Sequence, residues 1–221
     1  MLLFAVIILT CKNSPVKPVN KTSLYGIVWA RGEHGAAEII ANPDYPDQCL
    51  DNKIIFDGQE LKPIYNHGEY LASIGDYKLR PFSVFTLSGE FCGESIETSV
   101  QLPDTFSIIS PANESTRPPG ENLEIEFTNG GEGFKYVVMV IRMYPELHAI
   151  THLSKPITDT FYTIPRESLS AGQVHSIVVF CFKNGIMYGN SILAADSNNL
   201  SDNIEGFFGS WRMESVRVNP Y

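Results

Sequence analysis

From residue 23 onward, apolar side chains recur at every second position, the period of a strand that turns one face to a core. Tyr25 to Trp29, Ile39-Ile40, Ile54 to Phe56, Leu61 to Tyr65, Tyr70-Leu71, Ser83 to Leu87 and Ser95 to Gln101 carry this pattern. Turn residues part them: Asn42-Pro43-Asp44, Asp57-Gly58, Asn66-His67-Gly68 and Gly75-Asp76 supply positive φ or a preset bend. The pattern predicts about seven short strands, enough for a small β-sandwich over residues 23–103. Pro103 closes the unit, because proline cannot donate to a ladder and holds Leu102 in an extended connection.

A second unit, residues 104–221, opens with Phe106 to Pro111. Leu123-Glu124-Ile125-Glu126-Phe127 alternates apolar and acidic positions, which predicts a strand with one wet face. Phe134 to Met143 is apolar on both faces and follows the glycine-rich Asn129 to Gly133, as a central strand would. Thr160 to Pro165 and Val174 to Phe182 continue the set, and Gly206 to Trp211 with Met213 to Val218 predicts a last strand broken by a glycine-flanked bulge. Between Tyr188 and that strand, the polar run Gly189 to Asn203 reads as a long surface loop of the kind that often carries function. No helix longer than about three turns is expected anywhere after residue 22.

The order Tyr162-Thr163-Ile164-Pro165, Leu169, Gly172 and a long strand with Ile177, Val179 and Cys181 on one face resembles the second half of an immunoglobulin or fibronectin type III-like domain. The resemblance covers residues 104 to 218 and implies a two-sheet sandwich. Such domains commonly place Tyr three residues after the glycine, where its hydroxyl ties the strand to the turn before it. His175 holds that position here and is expected to be partly buried and bonded to nearby backbone.

Met1 to Thr10 are apolar without interruption and too few to cross a hydrocarbon core, which needs about 20 residues in helical form. A polar, proline-bearing stretch, Lys12 to Thr22, follows. Ile8-Leu9-Thr10-Cys11 resembles the lipobox of a bacterial lipoprotein precursor. That resemblance implies a signal peptide, lipidation of Cys11, a tether over residues 12–22, and membrane attachment at the cell envelope. An exported chain also permits a disulfide, and Cys49 and Cys92 of the first unit are the candidate pair, closing a loop of about 43 residues. Cys181, inside Val178 to Phe182, reads as a buried free thiol.

With 16 Lys plus Arg against 25 Asp plus Glu, the formal charge of −9 opposes a phosphate backbone, so nucleic acid is excluded as a partner. Nucleotide-binding glycine, zinc-protease and nucleophile-elbow motifs are absent from the sequence, and no cofactor is implied. His148 and His152 have a spacing that would put both on one face of a helix, but Pro145 and Pro156 leave room only for a short turn, so they read as exposed loop histidines. Asp196 and Asp202, with Asn198, Asn199 and Asn203, offer oxygen ligands for calcium without an EF-hand pattern; Asp44, Asp47 and Asp51 are a similar group. Planar rings that stack on sugars or extended peptides make Trp211, Phe207 and Phe208 the candidate ligand contacts, with Tyr65 and Tyr70 beside them.

Together these features favour a non-catalytic cell-envelope lipoprotein that acts as a binding, adhesion or structural module for a protein or glycan ligand. The alternatives are a secreted carbohydrate-active or other hydrolytic enzyme with a site between the units, and a calcium-dependent adhesin. A titratable pair in a concave site would mark the enzyme, and a shallow aromatic patch the module.

Overall fold

The computed structural model describes residues 22–31, 34–42, 52–61, 65–66, 69–118, 120–144, 148–188 and 191–220. They form an all-β protein whose described helical content is one 3-10 turn, Arg166–Ser168.

The first unit has strands β1 (Thr22–Arg31), β2 (His34–Asn42), β3 (Lys53–Phe56), β4 (Gln59–Glu60), β5 (Tyr65–Asn66), β6 (Glu69–Lys78), β7 (Val84–Phe91) and β8 (Glu94–Gln101). The second has β9 (Ile108–Ser110), β10 (Ser115–Arg117), β11 (Leu123–Phe127), β12 (Lys135–Met143), β13 (His148–Leu153), β14 (Phe161–Ile164), β15 (Val174–Lys183), β16 (Gly185–Tyr188), β17 (Ser191–Ala195) and β18 (Ile204–Pro220). Two-residue turns close the β3–β4 and β7–β8 hairpins, with positive φ at both Asp57 and Gly58 and at both Cys92 and Gly93. Positive φ at both central positions is what a tight hairpin matched to strand twist requires.

In each unit two sheets face one another. The first sets β4-β3-β7-β8 against β1-β2-β6-β5; the second sets β14-β11-β9 against β13-β12-β15-β18. The second arrangement is an immunoglobulin-like sandwich, with β11 and β14 on one sheet and β12, β15 and β18 on the other.

The last strand departs from the sequence reading. Ile204 to Arg212, assigned by sequence to the second unit alone, pair in parallel with Thr22 to Ala30 of β1. Ser210 to Val218 pair antiparallel with β15. β18 therefore runs without a break from one unit into the next and joins their sheets in the order β13-β12-β15-β18-β1-β2-β6-β5. The glycines read as a bulge serve a different end: a side chain on Gly209 would meet the backbone oxygen of Gly185 at 2.7 Å, so its bareness lets the start of β16 cross over β18.

The two-residue period sorts the joined sheet into two faces. On one face, Ile204 and Phe208 of β18 enter the first core with Leu24, Val28, Phe56 and Leu87. On the same face, Val216 and Val218 enter the second core with Ile125, Tyr136, Ile177, Val179 and Cys181. Between them lie the buried Ser210 and Arg212. Ser210 Oγ donates to the Gln101 carbonyl at 2.6 Å, and the Arg212 guanidinium donates to the carbonyls of Pro103 and Leu79 at 2.7 and 3.3 Å. The bonds to Gln101 and Pro103 fasten β18 to the segment where the chain passes from one unit to the other, and the bond to Leu79 ties it to the end of β6. On the opposite face a third cluster, Ile27, Met139, Phe180, Phe182, Phe207 and Trp211, is covered by the β16–β17 hairpin through Ile186 and Ala194.

Candidate functional site

That third cluster ends in a cavity of about 290 Å³. Its floor comes from alternate positions of neighbouring strands, Ile27, Trp29 and Arg31 of β1, Glu38 and Ile40 of β2, and Trp211 and Met213 of β18; Met187 and Tyr188 of the hairpin complete the lining. Trp29 and Trp211 are direct partners across the parallel β1–β18 ladder. Their side chains leave the sheet on the same side, and the rings stack with centroids 5.5 Å apart and planes 14° from parallel. Phe180 meets the Trp211 ring edge-on at 5.4 Å and Tyr188 at 5.7 Å, which braces one wall.

Polar groups are few here. The Trp211 Nε1 is buried and has no hydrogen-bond partner, which is costly for an indole donor. Glu38 is half-buried, and that burial raises its carboxyl above the usual carboxylate range. Arg31 stands exposed among the lining residues. The cavity offers flat apolar faces, one carboxyl group and a cation, while the Trp211 Nε1 is shut off from solvent. It offers no second carboxyl among the described lining residues, and acid–base hydrolysis of a glycosidic bond calls for two.

The structure redistributes the residues picked out by sequence. Trp211 lines the cavity, but Phe207 and Phe208 are 1% and 0% exposed and are not ligand contacts. They fail because β18 is covered on both faces, so Phe207 packs edge-on against Tyr25 and Phe208 against Phe56. Trp29, Glu38 and Tyr188 were not foreseen. One signal for Trp29 was available: the sequence has two tryptophans, and both line this cavity. The side chains of Tyr65 and Tyr70 lie outside the described residues, as do Cys11, Cys49, Asp44, Asp47 and Asp51.

The polar run before β18 is laced into the fold by its side chains. Asp196 pairs with Lys135, and Asp202 is exposed. Asn199 donates to Thr98 Oγ1 and the Phe208 carbonyl and accepts from the Phe208 N–H at 2.8 Å, while Asn203 donates to Glu94 at 2.8 Å. The amides that suggested calcium ligands are thus spent lacing this segment to β8 and β18. Among the described residues, no group of three or more His, Cys, Asp or Glu side chains is placed to hold a metal ion. Its first part, moreover, is the strand β17 and not loop.

His148 and His152 sit on the strand β13, neither on a turn nor in a loop. His152 Nε2 lies 2.8 Å from the Tyr162 hydroxyl and Nδ1 3.3 Å from Ser168 Oγ, and burial lowers its pKa below 6.5. This serine–histidine contact has the look of a nucleophile and base. Ser168 is 6% exposed, however, and both histidine nitrogens are occupied, so the cluster serves to brace β13 against β14.

The remaining cysteine and histidine readings fit their places. Cys181 is free and fully buried, and desolvation pushes its thiol up to about 12, against the lowering effects of Tyr136 and Arg212. Cys92 is disulfide-bonded, and its N–H donates to Asn52 Oδ1 at 2.7 Å. His175 is 2% exposed and accepts the Ser170 N–H at Nε2, at 3.2 Å, which is the turn-to-strand bond that a tyrosine makes in related sandwiches.

No known family profile matches the chain, and no curated protein matches it. Among solved structures, the chain matches the fibronectin(III)-like modules of Clostridium thermocellum CbhA at 13% identity over 92% of this chain and 91% of that one, with a TM-score of 0.30. The sandwich assignment above rests on this chain's own strand pairing. No described helix is long and apolar enough to cross a membrane.

Proposed function

We infer that the chain is a non-catalytic binding module of the cell envelope, exported, anchored by lipid on Cys11, and using the cavity of Trp29 and Trp211 to hold its ligand. The observation that carries the reading is the cavity of about 290 Å³ walled by the stacked rings of Trp29 and Trp211, with few polar groups in its lining. Ligand sites are mostly apolar concavities with a few placed polar groups, and this cavity has that composition. Against an enzyme stands the pairing of the titratable groups: the one serine–histidine contact described is enclosed, and Glu38 is the lone carboxylate of the lining. The continuous β18 ladder gives the module a second, mechanical role, since it keeps the cavity at a fixed angle to whatever either unit is attached to. The disulfide of Cys92 belongs to the same exported setting, and Cys49 is its proposed partner.

Two experiments test this. Mass spectrometry of protein from native membranes is expected to show a diacylglyceryl group on Cys11, and an intact Met1 or a water-soluble protein in wild-type cells would overturn the anchor. A screen of chromogenic glycosides and esters is expected to show no turnover. Turnover that vanishes in Glu38→Gln would replace the binding module with the hydrolase.

A further inference from the structure

We propose that the tryptophan cavity and the polar hollow beside it form one site for a single-chain anionic amphiphile, its hydrocarbon tail against Trp29 and Trp211 and its charged head between Arg31 and Arg217. This rests on the binding reading above and adds the class of ligand.

A second cavity, of about 330 Å³, adjoins the first on the outer face of the joined sheet, and Arg31 lines both. Arg217, Ser176, Ser215, Asn113 and Glu114 lie around it. The two cavities follow one another along β18, whose alternate residues Trp211, Met213, Ser215 and Arg217 share a face over roughly 20 Å. The neighbouring strands change character in the same direction. β1, parallel to β18, passes from Ile27 and Trp29 to Arg31; β15, antiparallel, sets Phe180, Val178 and Ser176 beside Met213, Ser215 and Arg217. The face is a trough, apolar at one end and basic with hydroxyl groups at the other.

Each end selects for part of the ligand. The first cavity offers Ile27, Ile40, the two tryptophans and the adaptable side chains of Met187 and Met213, against which every buried methylene adds to binding. In the second, two guanidinium groups and two hydroxyls stand against one carboxylate, Glu114, on a chain whose formal charge is −9. The described ion pairs join Lys53 to Glu60 and Lys135 to Asp196, so neither arginine is committed to a carboxylate among the described residues. Guanidinium groups with hydroxyls beside them suit a carboxylate or phosphate head.

An extended peptide would bind by adding to a free strand edge. β16, whose Met187 and Tyr188 line the first cavity, has such an edge on the side away from β17. That edge is four residues long, its register shifts between Ile186 and Met187, and the backbone N and O of Gly185 crowd Gly209 of β18. What remains is too short for a ladder. An uncharged sugar would use neither the apolar wall nor the two arginines.

Trp29 and Trp211 are the two tryptophans of the sequence, so tryptophan emission reports this site alone. In the full chain carrying Cys11→Ser, to keep it in solution, decanoate or decyl phosphate below its micelle-forming concentration is expected to shift that emission saturably. Decanol, with the same tail and no charge, should bind roughly tenfold more weakly, the worth of a charge-assisted hydrogen bond. Arg31 and Arg217 are exposed, so Arg31→Gln and Arg217→Gln should keep the wild-type unfolding midpoint. Each is expected to weaken decanoate roughly tenfold, to flatten its salt dependence and to leave decanol unchanged. Equal affinity for decanoate and decanol, or no effect of either arginine, would overturn the anionic head and leave an apolar binding site. If decanoate and decyl phosphate leave the emission unmoved while free hexoses or a mixture of short peptides shift it, the amphiphile is wrong and the binding reading stands. If none of these probes shifts it, the binding reading falls as well.

Discussion

The two faces of the joined sheet receive different treatment. On one, β18 contributes Phe208, Val216 and Val218 to cores closed by a facing sheet, and the polar side chains at the border, Ser210 and Arg212, are bonded to backbone carbonyls. On the other, Phe207 and Trp211 are covered by a two-stranded hairpin, and a cavity and an unpartnered N–H remain. A sandwich consumes its inner face in folding. The outer face is only partly covered, and it holds the cavity proposed above to take a ligand.

That difference sets the order of expected effects. Phe208→Ala removes a fully buried ring from the closed face and should cost about 3–5 kcal/mol in urea unfolding; a loss below about 1 kcal/mol would show that the first core does not depend on β18. Cys181→Ser, on the same face, places a hydroxyl in an apolar site and should cost about 1–3 kcal/mol. In the native wild type, maleimide labelling at Cys181 is expected to be negligible until denaturant is added, since the thiol is buried and its pKa is pushed up to about 12.

A smaller effect is expected from pH. His175 is held below 6.5 first by burial and then by Arg117 nearby. A depressed folded-state pKa contributes stability that is fully present above 6.5 and is lost as pH falls through the depressed value, because the unfolded chain takes up the proton first. Urea midpoints should therefore fall on acidification below 6.5, and less steeply in His175→Asn than in the wild type. Glu38 and Glu214 act in the opposite sense, their carboxyls being raised by burial, so the difference between variant and wild type is the informative quantity. Parallel curves for the two proteins would remove His175 from this role.

On the partly covered face, Trp211→Phe trims a side chain that is 5% exposed and should cost about 1–2 kcal/mol in urea unfolding, less than loss of the whole Phe208 ring. A loss of about 3 kcal/mol or more would show that the hairpin-covered face is packed as tightly as the closed one.

Much of the closed face was legible from local pattern. Leu123 to Phe127 alternates cleanly, Ile177 to Phe182 is apolar at consecutive positions, and Asp57-Gly58 names its own turn, so β11, β15 and the β3–β4 hairpin follow from neighbours in sequence. The open face was not legible, for it depends on pairing between the two ends of the chain. Nothing near Trp29 says that Trp211 lies beside it, and Gly206 to Trp211, apolar on both sides, reads equally as a bulge or as a strand buried on both faces. β13 was missed because an edge strand tolerates the polar His148, Thr151 and His152, whose residues look like those of a loop. The asparagines before β18 were visible as polar, but their bonds to β8 were not, since those partners are far apart in sequence.

β18 joins the two sheets and thereby sets Trp211 against Trp29. Two stacked indoles 5.5 Å apart couple their transitions, so circular dichroism of the folded protein is expected to show an exciton couplet. The couplet should disappear in Trp29→Phe and equally in Trp211→Phe. A wild-type spectrum without it, or one that survives either substitution, would contradict the shared strand and the site built on it.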